Sequence, residues 1–269
     1  IRSTGLVQDG GMRQHLARAL AAALPLALVS CASPAEPERL TAVVLERLDF
    51  NPSSFTQGLE VAPGGGLYVG TGMWGESRVY LRGEDGSEGA SASMSPELFG
   101  EGITLVDDHL WQLTWQDGTA FKRDPRTLEE TGRARYQGEG WGICYRGDAG
   151  EVLLSDGTSQ LRRMDPDTLE ERGGVEVTEG GEPVAGLNEL ECVGGDVYAN
   201  IFTTTDIVRI DADTGKVTAR IDASGLANRA GADPDNVLNG IAHIPGTDEF
   251  YLTGKRWPDL YRVRFEPAD

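Results

Sequence analysis

The chain is poor in the residues on which several kinds of protein depend. Of its 269 residues only three are Cys and three are His. So few cysteines argue against a disulfide-stapled scaffold. The histidines are His15, His109 and His243, too few for a histidine-based zinc centre, and no metal or cofactor is expected. Basic residues are also scarce, 24 Lys and Arg against 43 Asp and Glu, for a net charge of −19. A chain without a basic footprint does not hold a phosphate backbone, so no nucleic-acid partner is expected. The charge keeps an exported protein soluble; a sharper alternative is that it attracts a substrate bearing a free ammonium group.

Long apolar runs are lacking too. Ala19 to Val29 is the one sustained run near the N-terminus, and it is too short to span a bilayer. Met12, Arg13 and Arg18 precede it, and Leu28-Val29-Ser30-Cys31 follows. This order reads as a secretory signal. Its end resembles a bacterial lipobox, in which the cysteine is lipidated. Residues 1–37 are therefore set apart as upstream segment, lipoprotein-type signal and tether. The expected location is the bacterial cell surface, with membrane contact only through a lipid on Cys31. Plain secretion with Cys31 incidental is the alternative.

Residues 38–269 are organised by repetition. The stretch FGEGITLVDDHLWQLTW, Phe99 to Trp115, reads as two short strands joined by a turn. The phrase returns from Phe55, Gly140, Leu187 and Leu238. Aligned on Gly58, Gly102, Gly142, Leu190 and Gly240, the copies lie 44, 40, 48 and 50 residues apart. Strand-rich self-similarity at this period marks a propeller or a related repeat array. A third strand follows each pair, and Asp124/Thr127, Asp165/Thr168 and Asp211/Thr214 place a tight turn before a fourth. Roughly 45 residues per unit gives an all-β, five-bladed β-propeller. Thr41 to Phe50 reads as a strand with no partner of its own, and the last repeat ends after three strands. The N-terminal strand is therefore expected to complete the last blade and close the ring. A closed ring needs no partner, so a monomer is expected. Cys144 and Cys192 occupy matching positions in consecutive repeats. They are expected as two separate buried thiols, a bridge between them being the alternative.

Unusual residues gather at two positions of the repeat. Phe55, Gln57, Phe99, Glu101, Trp141, Asn188, Glu189 and Asn239 stand at the entry to first strands. Trp74, Trp115, Phe202, Lys255 and Trp257 stand at the exit of second strands. Each alone is ordinary core or loop chemistry. Together they suit a small apolar pocket with a few orienting polar groups.

The ordered set FTQGL, FGEGITL, GWG, LNELE, VLNGIA and LTGKRWP resembles the plant and bacterial glutaminyl-peptide cyclotransferases over about residues 40 to 266. The resemblance implies a five-bladed propeller, no metal, and peptides with N-terminal glutamine as substrates. It places Glu101, Lys255 and Asn188 in the catalytic set. Substrate binding falls to Phe55, Gln57, Phe99, Trp115, Trp141, Phe202 and Asn239. One carboxylate can take the proton of the attacking amine and deliver it to the departing nitrogen; Glu101, between two glycines that let the backbone approach a ligand, is that candidate. Lys255 with Asn188 or Gln57 would donate to the developing oxyanion. Val69 stands where relatives often carry Glu, and Phe202 where they commonly carry Trp. A non-catalytic propeller that binds peptides or cell-wall fragments is the rival reading, and a calcium-dependent lactone hydrolase a third.

If Cys31 is lipidated, the wild type partitions with membranes on fractionation, and Cys31→Ser is released or left unprocessed. An equal soluble pool of both would leave only a general secretory signal.

Overall fold

A computed structural model describes residues 36–268; residues 1–35, on which the expected signal and the lipidation of Cys31 fall, lie outside the described residues. The described part opens with strand β1 (Glu38–Asp49). The first four-stranded sheet follows: β2 (Thr56–Val61), β3 (Leu67–Thr71), β4 (Arg78–Arg82) and β5 (Glu88–Ser93). The second is β6 (Gly100–Val106), β7 (His109–Thr114), β8 (Thr119–Arg123) and β9 (Glu130–Arg135). The third is β10 (Ile143–Arg146), β11 (Glu151–Leu154), β12 (Gln160–Met164) and β13 (Glu171–Glu176). A two-stranded hairpin, β14 (Thr178–Glu179) and β15 (Glu182–Pro183), intervenes. Then come β16 (Leu187–Val193), β17 (Asp196–Ile201), β18 (Asp206–Asp211) and β19 (Val217–Asp222). The chain finishes with β20 (Leu238–His243), β21 (Glu249–Gly254) and β22 (Asp259–Pro267).

The fold is all-β and propeller-like. Each unit is an antiparallel meander, and its first strand touches the first strand of the next: β2 with β6, β6 with β10, β10 with β16, β16 with β20, and β20 with β2. The apolar core is divided in the same cycle, into five clusters each shared by neighbouring units. Leu59, Val69 and Tyr80 pack with Ala242 and Leu260, for example, and Trp111 and Leu113 with Ile143 and Leu154. Inner strands are buried on both faces and read as near-continuous apolar or small runs, whereas the outer β9 alternates exposed and half-buried. That gradient follows from burial, since only an outer strand has a face in water.

The expected turns are present. Asp124 accepts hydrogen bonds from the amides of Arg126 and Thr127 at 2.8 and 3.0 Å, and Asp165 does the same for Asp167 and Thr168 at 2.9 Å each. Leu128 and Leu169 then take positive φ of 60° and 54°. Branched side chains tolerate this poorly, but both leucines are fully buried between units, which offsets the strain.

The N-terminal strand pairs antiparallel with β22 from Leu40 to Asp49, as expected, although it begins at Glu38 rather than Thr41. Its first four residues also pair in parallel with β19. It therefore covers the open edges of two units and joins them into one eight-stranded sheet. The expectation of two free thiols is wrong: Cys144 and Cys192 form a disulfide, with Cα atoms 5.4 Å apart. They sit on β10 and β16, inner strands of neighbouring units, and convergence of those strands brings matching positions within bridging distance.

Deleting Glu38–Asp49 leaves β19 and β22 with unpaired edges and opens the core at Ala42. Loss of soluble, cooperatively melting protein is expected, and a truncation that melts like the wild type would contradict this role for β1.

Candidate active site

Four of the inner strands, β2, β6, β16 and β20, start irregularly and at the same place. Their pairing with the second strand shifts register between Thr56 and Gly58, Gly100 and Ile103, Leu187 and Leu190, and Leu238 and Ile241. The shifted segments carry Gln57, Glu101, Asn188 and Asn239. A bulge re-aims a side chain that a regular strand would direct into a sheet face. The glycines beside Glu101 serve the same convergence. A Cβ on Gly102 would lie 2.7 Å from the Trp141 carbonyl, and one on Gly100 2.6 Å from that of Thr71. The close approach seen here is to neighbouring protein backbone, a reason for glycine at both positions that the sequence did not disclose.

A cavity of about 350 Å³ opens at this end. Glu101, Gln57, Asn188, Lys255, Phe55 and Phe99 line it and are buried. Trp115 and Trp141 are half-buried walls, while Trp74, Phe202 and Asp235 are exposed at the mouth beside Met73. Nine of the ten expected catalytic and substrate-binding residues therefore meet in one place. The tenth, Asn239, lies beneath. Its Nδ2 donates to the Thr56 carbonyl and to Gln57 Oε1, each at 3.0 Å. Gln57 Nε2 in turn donates to Glu101 Oε1 at 3.0 Å. Asn239 thus fixes which way round the Gln57 amide sits, and Gln57 holds the acid. Of the two amides named from the sequence, Gln57 is engaged at both ends, whereas the Asn188 carboxamide has no hydrogen bond among the described residues.

Electrostatics follow from burial. Burial raises the Glu101 pKa well above the usual 4.5; nearby Lys255 pulls it down and Glu139 pushes it up. Burial lowers the pKa of Lys255, opposed by Glu101 and Asp235. The Lys255 ammonium lies over two rings, 4.9 Å from the centre of Phe55 and 5.1 Å from that of Phe202. Such contacts partly replace lost hydration.

The walls are two aromatic groups. Phe99 is the hub of one, 6.1 Å from Phe55, 4.9 Å from Trp74 and 5.7 Å from Trp115. Trp141 and Phe202, 5.2 Å apart, form the other. Phe99 packs on Gly72 and Trp141 on Gly157, where no Cβ could fit. Met73, Thr203 and Arg256 take positive φ in the loops that follow second strands, and strain of this kind collects around working sites.

Three residues named from the sequence lie elsewhere. Both carboxylate oxygens of Glu189 are taken up by backbone amides, Leu59 at 3.1 Å and Ile241 at 2.8 Å, so it ties inner strands together. Trp257 is buried with its indole on the Asn236 carbonyl. Val69 lies in the apolar core, away from the cavity, so an acid there would not reach the substrate directly. Met73, Asp235 and Glu139 were missed. Asp235 lies in the connection from β19 to β20, outside the repeated strands that gave a pattern to read. Glu139 did leave a signal, since Gly138-Glu139-Gly140 echoes Gly100-Glu101-Gly102.

A buried acid, a buried amine and a carboxamide converging under aromatic walls, on a propeller-like scaffold, define a class of site: a small, mostly apolar pocket with a few orienting polar groups. The particular family comes from comparison. The glutamine cyclotransferase family model matches residues 16–265. A glutaminyl-peptide cyclotransferase of Arabidopsis thaliana is 35% identical over 232 residues, covering 84% of this chain and 71% of the relative. The crystal structure of Myxococcus xanthus glutaminyl cyclase superposes with a TM-score of 0.81 at 35% identity, over 87% of this chain and 100% of that one. The chain belongs to the glutamine cyclotransferase family.

Glu101 carries a stability signature. Its folded pKa lies above its unfolded value, so its contribution is complete below about pH 4.5 and is lost as pH rises through the folded pKa. Glu101→Gln is therefore expected to melt above the wild type at pH 8, by about 2–4 °C for each kcal/mol relieved. The gap should close towards pH 4.5, and a gap independent of pH would show that Glu101 is not held above its usual range.

Proposed function

We propose that this chain is a glutaminyl-peptide cyclotransferase that converts the N-terminal glutamine of peptides to pyroglutamate and releases ammonia. The carrying observation is the buried Glu101, held by Gln57 within a family member's aromatic-walled cavity and facing Lys255 and Asn188. The cavity volume suits one glutaminyl side chain folded over its own amine. The α-nitrogen attacks the γ-amide carbon, Glu101 accepts the proton released from that nitrogen, and a carbon–nitrogen bond forms. The tetrahedral oxyanion is met by Lys255 and Asn188. Glu101 then returns the proton to the departing nitrogen as its bond to carbon breaks, and ammonia leaves. A carboxyl whose pKa is raised towards working pH is suited to both transfers. The aromatic walls hold the reacting atoms together, an advantage of proximity within a reaction that is already unimolecular. Phe202 retains an aromatic wall where relatives commonly have Trp.

Two wider readings go with this one. We read the scaffold as a five-bladed propeller, with β1 as outer strand of the fifth blade; the closed cycle of inner-strand contacts and the five shared cores support it. We place the protein outside the cytoplasm, anchored through Cys31. The Cys144–Cys192 disulfide supports export, since such bonds persist in oxidising compartments.

Glu101→Gln is expected to fold and still bind a Gln-initiated peptide, with turnover down by about two to four orders of magnitude in an ammonia-release assay. The rise of wild-type rate with pH through Glu101 ionisation should disappear in that variant. Lys255→Ala should also slow the chemical step. Near-wild-type turnover in Glu101→Gln would sink the mechanism, and no turnover in the wild type would sink the function.

A further inference from the structure

One carboxylate outside the cavity touches both of its walls. Glu139 Oε2 accepts hydrogen bonds from the indole nitrogens of Trp115 at 2.7 Å and Trp141 at 2.9 Å. Its Oε1 accepts one from Gln116 Nε2 at 3.0 Å. Trp115 belongs to the Phe99 wall and Trp141 to the Phe202 wall. No other residue among those described receives hydrogen bonds from both indoles. The backbone that carries Glu139 is itself held. The Gly140 amide donates to the Trp115 carbonyl at 3.0 Å, and Gly140 packs so closely on Tyr136 that a Cβ would lie 2.5 Å from its hydroxyl.

We propose that Glu139 is a positioning residue that clamps the two aromatic walls at a fixed spacing and sets the electrostatic environment of the catalytic acid. The first half is geometric. An indole donates through a single N–H, so an anion held at that point fixes the ring's rotation as well as its location. Two rings sharing one oxygen atom cannot swing independently. The width of the slot, and so the fold imposed on the glutaminyl side chain, is then a property of Glu139. The second half is a matter of charge. Burial pushes the Glu139 pKa up, but hydrogen bonds from Trp141, Gln116 and Trp115 outweigh it and hold the group below its usual value, so it is an anion at neutral pH. Glu101 is faced by this anion, by the opposing cation Lys255 and by the neutral Tyr136 phenol, while Asp235 faces Lys255 from the mouth. Glu139 is the member of this set that favours the protonated form of Glu101.

The inference rests on the cyclisation reading, and two substitutions separate its halves. Glu139→Gln keeps an oxygen that can accept both indoles but removes the charge; Glu139→Ala removes both. Glu139→Ala is expected to raise KM for a Gln-initiated dipeptide about tenfold or more. It should also alter the near-ultraviolet tryptophan circular dichroism of the folded protein. Glu139→Gln should restore KM and the tryptophan signal to near wild type. It should still move the acid limb of the kcat/KM profile to lower pH, by about half a unit or more. Wild-type KM and tryptophan signal in Glu139→Ala would overturn the clamp, and an unmoved pH limb in Glu139→Gln would overturn the electrostatic half. Wild-type protein that releases no ammonia would overturn the cyclisation reading alone; the tryptophan signals of the two variants would still decide the clamp.

Discussion

Everything at the working end of this protein depends on how closely its inner strands approach one another. Gly58, Gly102 and Gly142 sit where the first strand of one unit crosses that of the next, and a Cβ at Gly58 or Gly102 would lie 2.6–2.7 Å from backbone of the neighbouring unit. Backbones can close to that distance only where side chains are missing. Once they have closed, bulges at the strand entries direct Gln57, Glu101, Asn188 and Asn239 to one end. Repetition brings those positions together, and divergence between repeats makes each of them a different chemical group.

Burial at that end is both a cost and a mechanism. A carboxylate and an ammonium taken out of water are destabilising unless neutralised or solvated by the protein. Here the protein answers with a held amide for Glu101 and ring faces for Lys255, and keeps the two groups out of direct ion-pair contact among the described residues. A tight Glu101–Lys255 pair would hold the acid ionised and leave the amine occupied. In the proposed mechanism, their separation leaves one ready to exchange a proton and the other ready to meet developing charge. Glu189 shows the contrasting outcome. It is an acid buried just as deeply, but two backbone amides occupy its oxygens, which makes it a strand tie.

The places where sequence reasoning went astray share a cause. Cys144 and Cys192 are 48 residues apart in sequence and 5.4 Å apart at their Cα atoms, because matching positions on neighbouring inner strands face each other. The glycines around Glu101 were read for approach to a ligand, and their packing on backbone of the next unit was not foreseen. Val69 was weighed as a missing acid at the pocket and is core. In each case the residue type was read correctly, and its neighbours across the unit boundary were what sequence could not supply.

The sequence by itself determined the period, the strand-rich unit, the Asp-Thr turns, the completion of the last unit by the N-terminal strand, and ten of the residues that line the cavity. Those features are local or repeat at a fixed spacing, so they are written along the chain. Tertiary structure alone decided that Asn239 supports Gln57 from below, that β1 also pairs with β19, that the two cysteines bridge, and that Glu139 joins Trp115 to Trp141. These are contacts between units or between loops, set by the angle and distance at which neighbouring sheets meet. That geometry arises from packing the five cores simultaneously, and no stretch of the chain encodes it alone.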